Sequence, residues 1–330
     1  MKRSLSIAVA AALAASFGIS TAHAQKFPRK PVKLVAPFGA GGATHTLARL
    51  FAEELTKALG KKVVVTAAPG SGGAIGSAQV ARSKPDGYTL LMGSNGTVGM
   101  RWQTSETGFD MSSFIPLGSI ASLPTGWAVR ADSKIKTMKE LAARIKANPG
   151  VKYASVGTGS SLHLSSEAWA DMIGGKIIHV AGRGGKQAIV KLLSGEVEFI
   201  AVAASNFPRQ RARSKGKPVT GQFRGIGITA PYKYAPEIPT MKSMGYNLTD
   251  VTWWGPFAVK GTPQPVVDIL AKAVEKATKS AGFQATLKKF NYLPAYMDPK
   301  ATTADLSAYA KKMEGALKKA GMHKSQRKKK

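Results

Sequence analysis

The sequence predicts an α/β protein with a largely parallel sheet. Three observations carry that expectation. Short apolar, β-branched segments alternate with segments whose apolar residues recur every three and four positions. Strand-like segments run repeatedly into small, polar, glycine-rich loops. The chain has 330 residues and no cysteine, a length that can bury sizeable cores and divide into two domains without disulfides.

Residues 1–24 stand outside the fold. Lys2 and Arg3 precede an apolar run from Leu5 to Ile19 and then Ala22-His23-Ala24, the pattern of a cleavable secretory signal peptide. The first strand is Val32–Ala36, which enters the loop Phe38-Gly-Ala-Gly-Gly42. From Thr44 to Leu59 the residues Leu47, Leu50, Phe51, Leu55 and Leu59 mark one face of an amphipathic helix, and Gly60 ends it. Lys62 to Thr66 is the second strand, followed by the glycine loop Pro69–Gly76 and a short helix to Ala81. The turn Pro85-Asp86-Gly87 introduces a third strand, Tyr88–Met92, which opens into Gly93-Ser94-Asn95-Gly96.

Beyond residue 115 the rhythm resumes. Ile115–Ile120 and Trp127–Val129 read as separate strands. Thr137 with Glu140 three positions on has capping-box spacing for a helix that stops at Asn148-Pro149-Gly150. The strand Lys152–Val156 leads into Gly157-Thr-Gly-Ser-Ser161 and a helix carrying Leu162, Trp169 and Met172. A strand at Ile177–Val180, the loop Ala181–Gly185, a helix through Leu193 and a strand at Val197–Val202 follow. Pro208–Gly221 is basic and reads as a loop or irregular helix before a strand at 223–229. Trp253–Val259 is the last expected strand, with a helix from Gln264 and two helices filling the chain to about Ala320. These last elements have no sheet of their own, so they are expected to return to the first unit. The expected domains are 25–125 with 250–330, and 126–249.

Function is constrained first by what is missing. The formal charge is +30, from 48 basic and 18 acidic residues, which permits attraction to anions of any size and says little about fold. There is no zinc-finger spacing and no basic stripe interleaved with aromatics. A nucleic-acid partner is therefore not expected; a basic protein binding polyanions is the alternative reading. No loop has a Walker lysine, Gly39-x-Gly41-x-x-Thr44 lacks the third glycine of a dinucleotide motif, and the second strand ends without a ribose-binding acid. No nucleophile elbow, cysteine or His-Glu-x-x-His motif supports an enzyme, and no metal or cofactor is expected.

What the loops can do is hold an anion. In parallel sheets they lie at the C-terminal strand ends, where ligands bind, and free N–H groups in a first helical turn favour a carboxylate or phosphate. Each loop is also readable as a plain helix cap or tight turn. His179 reads as a packed strand histidine. His163 could cap or donate to a ligand, and His45 either meets a ligand or completes the helix terminus.

Several stretches together resemble the Bug family, extracytoplasmic receptors of tripartite tricarboxylate transporters. They are Phe27-Pro-x-Lys-Pro-Val-Lys-Leu-Val-Ala-Pro-Phe38 with Gly41-Gly-x-Thr44 and Ala48-Arg49, Pro69-Gly-x-Gly-Gly-x-Ile-Gly76, Pro85-Asp-Gly-Tyr-Thr-Leu90, Tyr153-Ala-Ser-x-Gly-x-Gly-Ser160 with His163-Leu164, and Gly255-Pro-Phe-Ala with Gly261-Thr-Pro263. The resemblance implies a periplasmic-binding-protein-like fold, two α/β domains with a ligand cleft between them. It implies a monomeric periplasmic protein that captures a small organic anion, a di- or tricarboxylate or aromatic carboxylate, and delivers it to integral membrane transporter subunits. Carried onto this chain, the binding groups are Phe38, Gly39, Ala40, Gly41, Gly42 and Thr44, then Ser94 and Asn95, then Ser155, Thr158, Gly159 and Ser160. His45 stands where the family usually has Asp, Ala181-Gly-Arg183-Gly replaces the usual Pro-Tyr-Lys-Gly, and Val202 stands near a further usual Asp. Two acidic positions are thus lost and Arg183 is gained. The expectation is a ligand with more than one acidic group, the second paired with Arg183.

Overall fold

The computed structural model describes residues 27–208, 222–319 and 321–326. The expected signal peptide, nearly all of the basic segment 208–221 and the end of the basic tail lie outside them. Strand β1 (Val32–Ala36) pairs in parallel with β2 (Val63–Ala67) and with β3 (Thr89–Ser94). Helix α1 (Ala43–Leu59) connects β1 to β2 and buries Leu47, Ala48, Phe51 and Leu55, the apolar face spaced at three and four. Its C-terminus is Gly60 in the left-handed region. The short helix α2 (Ala74–Ala81) precedes β3.

The sheet changes hands at β5. Phe114–Pro116 is a short strand, β4, and Ser119–Arg130 is one continuous strand, β5, rather than the two strands expected. Pro124 and Gly126, between the two expected strands, fall where β5 exchanges partners. Ala121–Pro124 pairs antiparallel with β10 (Val251–Val259), and Thr125–Val129 pairs with β8 (Phe199–Ala203). Pro124 lies at the end of the β10 ladder, a position that tolerates a missing N–H.

The second half of the fold contains α3 (Met138–Ala147), β6 (Val151–Ser155), α4 (Ser161–Met172), β7 (Ile177–Ala181), α5 (Gly185–Leu193) and β9 (Phe223–Ile228). Thr137 and Glu140 form the reciprocal cap predicted for α3. Strand β6 is parallel to β7 and β8, and a separate core around Trp127, Tyr153, Trp169 and Phe199 lies between this sheet and its helices.

After β10 the chain packs back against α1. The elements there are α6 (Gln264–Lys279), α7 (Ala281–Lys289), β11 (Leu293–Met297) and α8 (Pro299–Lys319), the three helices expected with one strand, β11, in addition. Ser280 both terminates α6 and caps α7 by accepting from the Phe283 N–H. Strand β11 joins β5 at Ser119–Ser122, and its exposed Pro294 is tolerated there. Among the described residues the strand order is β2-β1-β3-β10-β5-β8-β6-β7, with β4, β9 and β11 off this path.

Candidate functional site

Three helices begin around one enclosed space. It is lined by Gly42, Ala43 and Thr44 at the start of α1, Ser161 and Leu162 at the start of α4, and Gly184 and Gly185 at the start of α5. Phe38, Ser94, Leu123, Pro124, Thr125, Val156, Ala203, Asn206, Thr252 and Trp254 complete it. About 50 Å³ of it is open to the centre of a water-sized group, and the space is partly open to solvent. No Lys, Arg, His, Asp or Glu is among the described lining residues. The positive potential here comes from backbone: each helix start carries roughly half a positive charge and N–H groups without a partner in the helix. The first turns of α1, α4 and α5 contain no acidic residue to neutralise it.

The start of α1 is held from below. Trp254 Nε1 donates to Thr44 Oγ1 at 2.9 Å and Tyr292 donates to the Ala43 carbonyl at 2.7 Å. With its oxygen accepting from Trp254, the Thr44 hydroxyl keeps its proton for another acceptor.

Two seams close the space. At one, Gly39 N–H donates to the Arg183 carbonyl at 3.0 Å, and a Cβ on Gly39 would stand 2.8 Å from that oxygen. At the other, Gly72 lies against the Thr158 carbonyl so closely that a Cβ would collide with it, and its φ of 61° adds a second reason for glycine. Each seam joins a loop of the first half to a loop of the second. Arg101, 4% exposed, positions the second seam: its Nε donates to the Ser71 carbonyl at 2.8 Å and its Nη2 to Ser71 Oγ at 3.0 Å.

The residues singled out from the sequence fall into three groups. Phe38, Gly42, Thr44 and Ser94 line the space. Gly39, Ala40 and Arg183 border an outer groove with Lys186, Gln187 and Val190, and Gly41 is exposed nearby. Arg183 is exposed because Gly182 and Gly184 are the buried residues of its loop; its guanidinium is not brought to the enclosed space. The third group supports the site. Asn95 donates to the Val251 carbonyl and accepts from Gly96 N–H, fixing a turn after β3. Ser160 caps α4 through His163 N–H, Thr158 is exposed, and Gly159 N–H donates to His163 Nδ1 at 3.0 Å. Buried Ser155 is 2.8 Å from His179 Nε2, and burial lowers the His179 pKa to about 4. His45, half-buried on α1, is held below the ordinary imidazole range by burial and then by the Arg49 charge. It does not line the space.

Ser161, in the third glycine loop, also lines the space; sequence reasoning missed Gly184, Gly185, Asn206, Thr252 and Trp254. A signal existed for Gly184 and Gly185, since Ala181–Gly185 repeats the strand–glycine–helix pattern. Trp254 and Thr252 gave none, because a strand tryptophan reads as core.

Residues 47–322 match the profile of the tripartite tricarboxylate transporter family receptor. The chain belongs to that family. A "UPF0065 protein in tcbD-tcbE intergenic region" from Pseudomonas sp. (strain P51) is 33% identical over 292 residues, covering 85% of this chain and 84% of the relative. The structure of the periplasmic binding protein BugD superposes with a TM-score of 0.82 at 30% identity, covering 90% of this chain and 100% of BugD. MatC from Rhodopseudomonas palustris, solved with bound malate, superposes with a TM-score of 0.79 at 25% identity, covering 88% of this chain and 100% of MatC. Receptors of this family bind solutes and are not enzymes. Among the described residues no helix is long and apolar enough to cross a membrane.

Proposed function

We propose that this receptor captures a small organic anion in the periplasm and delivers it to the membrane subunits of a tripartite transporter. The observation that carries the reading is the convergence of three helix starts on one enclosed space, without an acidic side chain among the described residues that line it. Backbone N–H groups and the Thr44 hydroxyl would receive a carboxylate. Loops from both halves meet around that space, so a bound anion stabilises the closed arrangement by touching both. Malate in MatC supports a carboxylate as the class of cargo.

Isothermal titration calorimetry of the mature chain against a panel of organic carboxylates tests this. One saturable site for at least one carboxylate, weakened about tenfold by Thr44→Val, is the expected result. Heat only from neutral sugars or from amines would contradict it.

A further inference from the structure

We infer that His163 is a positioning residue for closure of the two halves: its neutral ring holds the Gly157–Ser160 loop in the shape that meets Gly72, and proton uptake releases that loop. The consequence for a ligand rests on the function just proposed; the hold on the loop does not. The His163 side chain is 13% exposed, in the first turn of α4, and its Nδ1 accepts from Gly159 N–H at 3.0 Å. The ring proton is therefore on Nε2, on the side of Glu167. An imidazolium carries hydrogen on both nitrogens, so protonation sets a second donor against Gly159 N–H and removes its acceptor. The loop has no slack to absorb this. A Cβ on Gly72 would collide with the Thr158 carbonyl and stand 2.9 Å from the Ser160 nitrogen, and a Cβ on Gly157 would stand 2.9 Å from the Gly72 nitrogen. A small displacement of Gly159 therefore reaches the seam.

Groups from four elements face the ring and set the direction of the effect. On α4, Glu167 Oε1 lies 3.6 Å from Nε2, where a carboxylate favours proton uptake. From β6, Tyr153 stacks on His163 with its ring plane 12° away and donates to Glu167 at 2.6 Å; burial raises the Tyr153 pKa and keeps it a neutral donor. From β7, the His179 ring lies 4.1 Å from that of His163, and it stays neutral until about pH 4. From the first half of the fold, Arg101 lies against Gly159, where a Cβ would stand 3.0 Å from its Cζ. That positive charge opposes an imidazolium at His163 only while the halves are together. The separated arrangement thus takes the proton more readily, and by linkage the proton favours separation.

The test has two arms. In nitrogen-15 NMR of the ligand-free mature chain, His163 should be the Nε2–H tautomer at pH 8.0, and the Thr158 and Gly159 amide resonances should move with its ring as pH is lowered to 5.5. An Nδ1–H tautomer, a ring that does not titrate in this range, or amides that stay in place while it does would overturn the inference and leave the receptor reading standing. Calorimetry with malate at pH 8.0 and pH 6.0 then reads closure. Wild-type affinity should fall about fourfold, the factor for an imidazole of ordinary pKa whose proton the closed form excludes. His163→Asn supplies an amide oxygen that cannot titrate and should bind alike at both pH values, whereas His163→Leu, with no acceptor, should bind weakly at both. A wild type that binds alike at both, or a His163→Asn variant that keeps the wild-type pH dependence, would overturn the inference. A wild type silent towards malate at both pH values would count against the receptor reading, and the ring and amide resonances would still decide the role of His163.

Discussion

Thr44 and Trp254 couple the fold to the site through one hydrogen bond. Thr44→Val leaves the buried indole N–H unsatisfied, a loss of about 1–3 kcal/mol, so a lower melting temperature should accompany the weaker ligand binding; a variant that keeps both would disconnect this pair from function. We propose that Arg183, exposed beside the outer groove, acts on the approach of the anion rather than on its bound state. Arg183→Ala should change equilibrium affinity less than about threefold while slowing association at low salt; stopped-flow fluorescence at two ionic strengths separates these effects. His179 gives a pH dependence of known sign. The unfolded imidazole takes up its proton near pH 6.5, whereas the folded one resists until about 4. Between those values the unfolded state binds more protons, so stability falls as pH is lowered through that window. His179→Gln should flatten the dependence in urea melts at pH 7 and pH 5.

At the scale of elements, the glycine seams decide whether the two halves can meet. Gly72→Ala places a methyl against the Thr158 carbonyl and a side chain at a positive φ. It should weaken ligand binding at least tenfold, measured by calorimetry, and an unchanged affinity would show that closure does not pass through this seam. The elements were legible wherever periodicity or capping was local: the face of α1, the Thr137–Glu140 cap and the strand–glycine–helix units all follow from neighbouring residues. What was not legible depends on distant partners. Ser119–Arg130 becomes one strand only because β10 and β8 divide it between them at Pro124 and Thr125. Leu293–Met297 becomes a strand only beside β5. Asn95 and Ser155 had the chemistry of ligand donors, yet the fold uses them on Val251 and His179. Trp254 is recognisable as a site residue only once it is found beneath Thr44.

On the scale of the whole molecule, we propose that residues 25–125 with 250–330 form one lobe and 126–249 the other. Strand β5 changes partners between Pro124 and Thr125, and the chain returns between β9 and β10. Those two crossings would act as a hinge that bound ligand biases towards closure. Small-angle scattering should show a smaller radius of gyration at saturating ligand, and an unchanged radius would remove the hinge. Export would leave Gln25 as the N-terminus of the mature chain, which terminal sequencing of the periplasmic protein reads directly. Without Lys2 and Arg3 the mature chain would keep 46 basic against 18 acidic residues, a net charge of +28, which would accelerate encounters with anions and make them salt-dependent. The most direct test of the central claim is mass spectrometry of the small molecules released when receptor purified natively from its own cells is denatured. The account predicts one organic carboxylate at close to one per chain, and a stoichiometric neutral or cationic solute, or nucleic acid that persists through high salt, would contradict it.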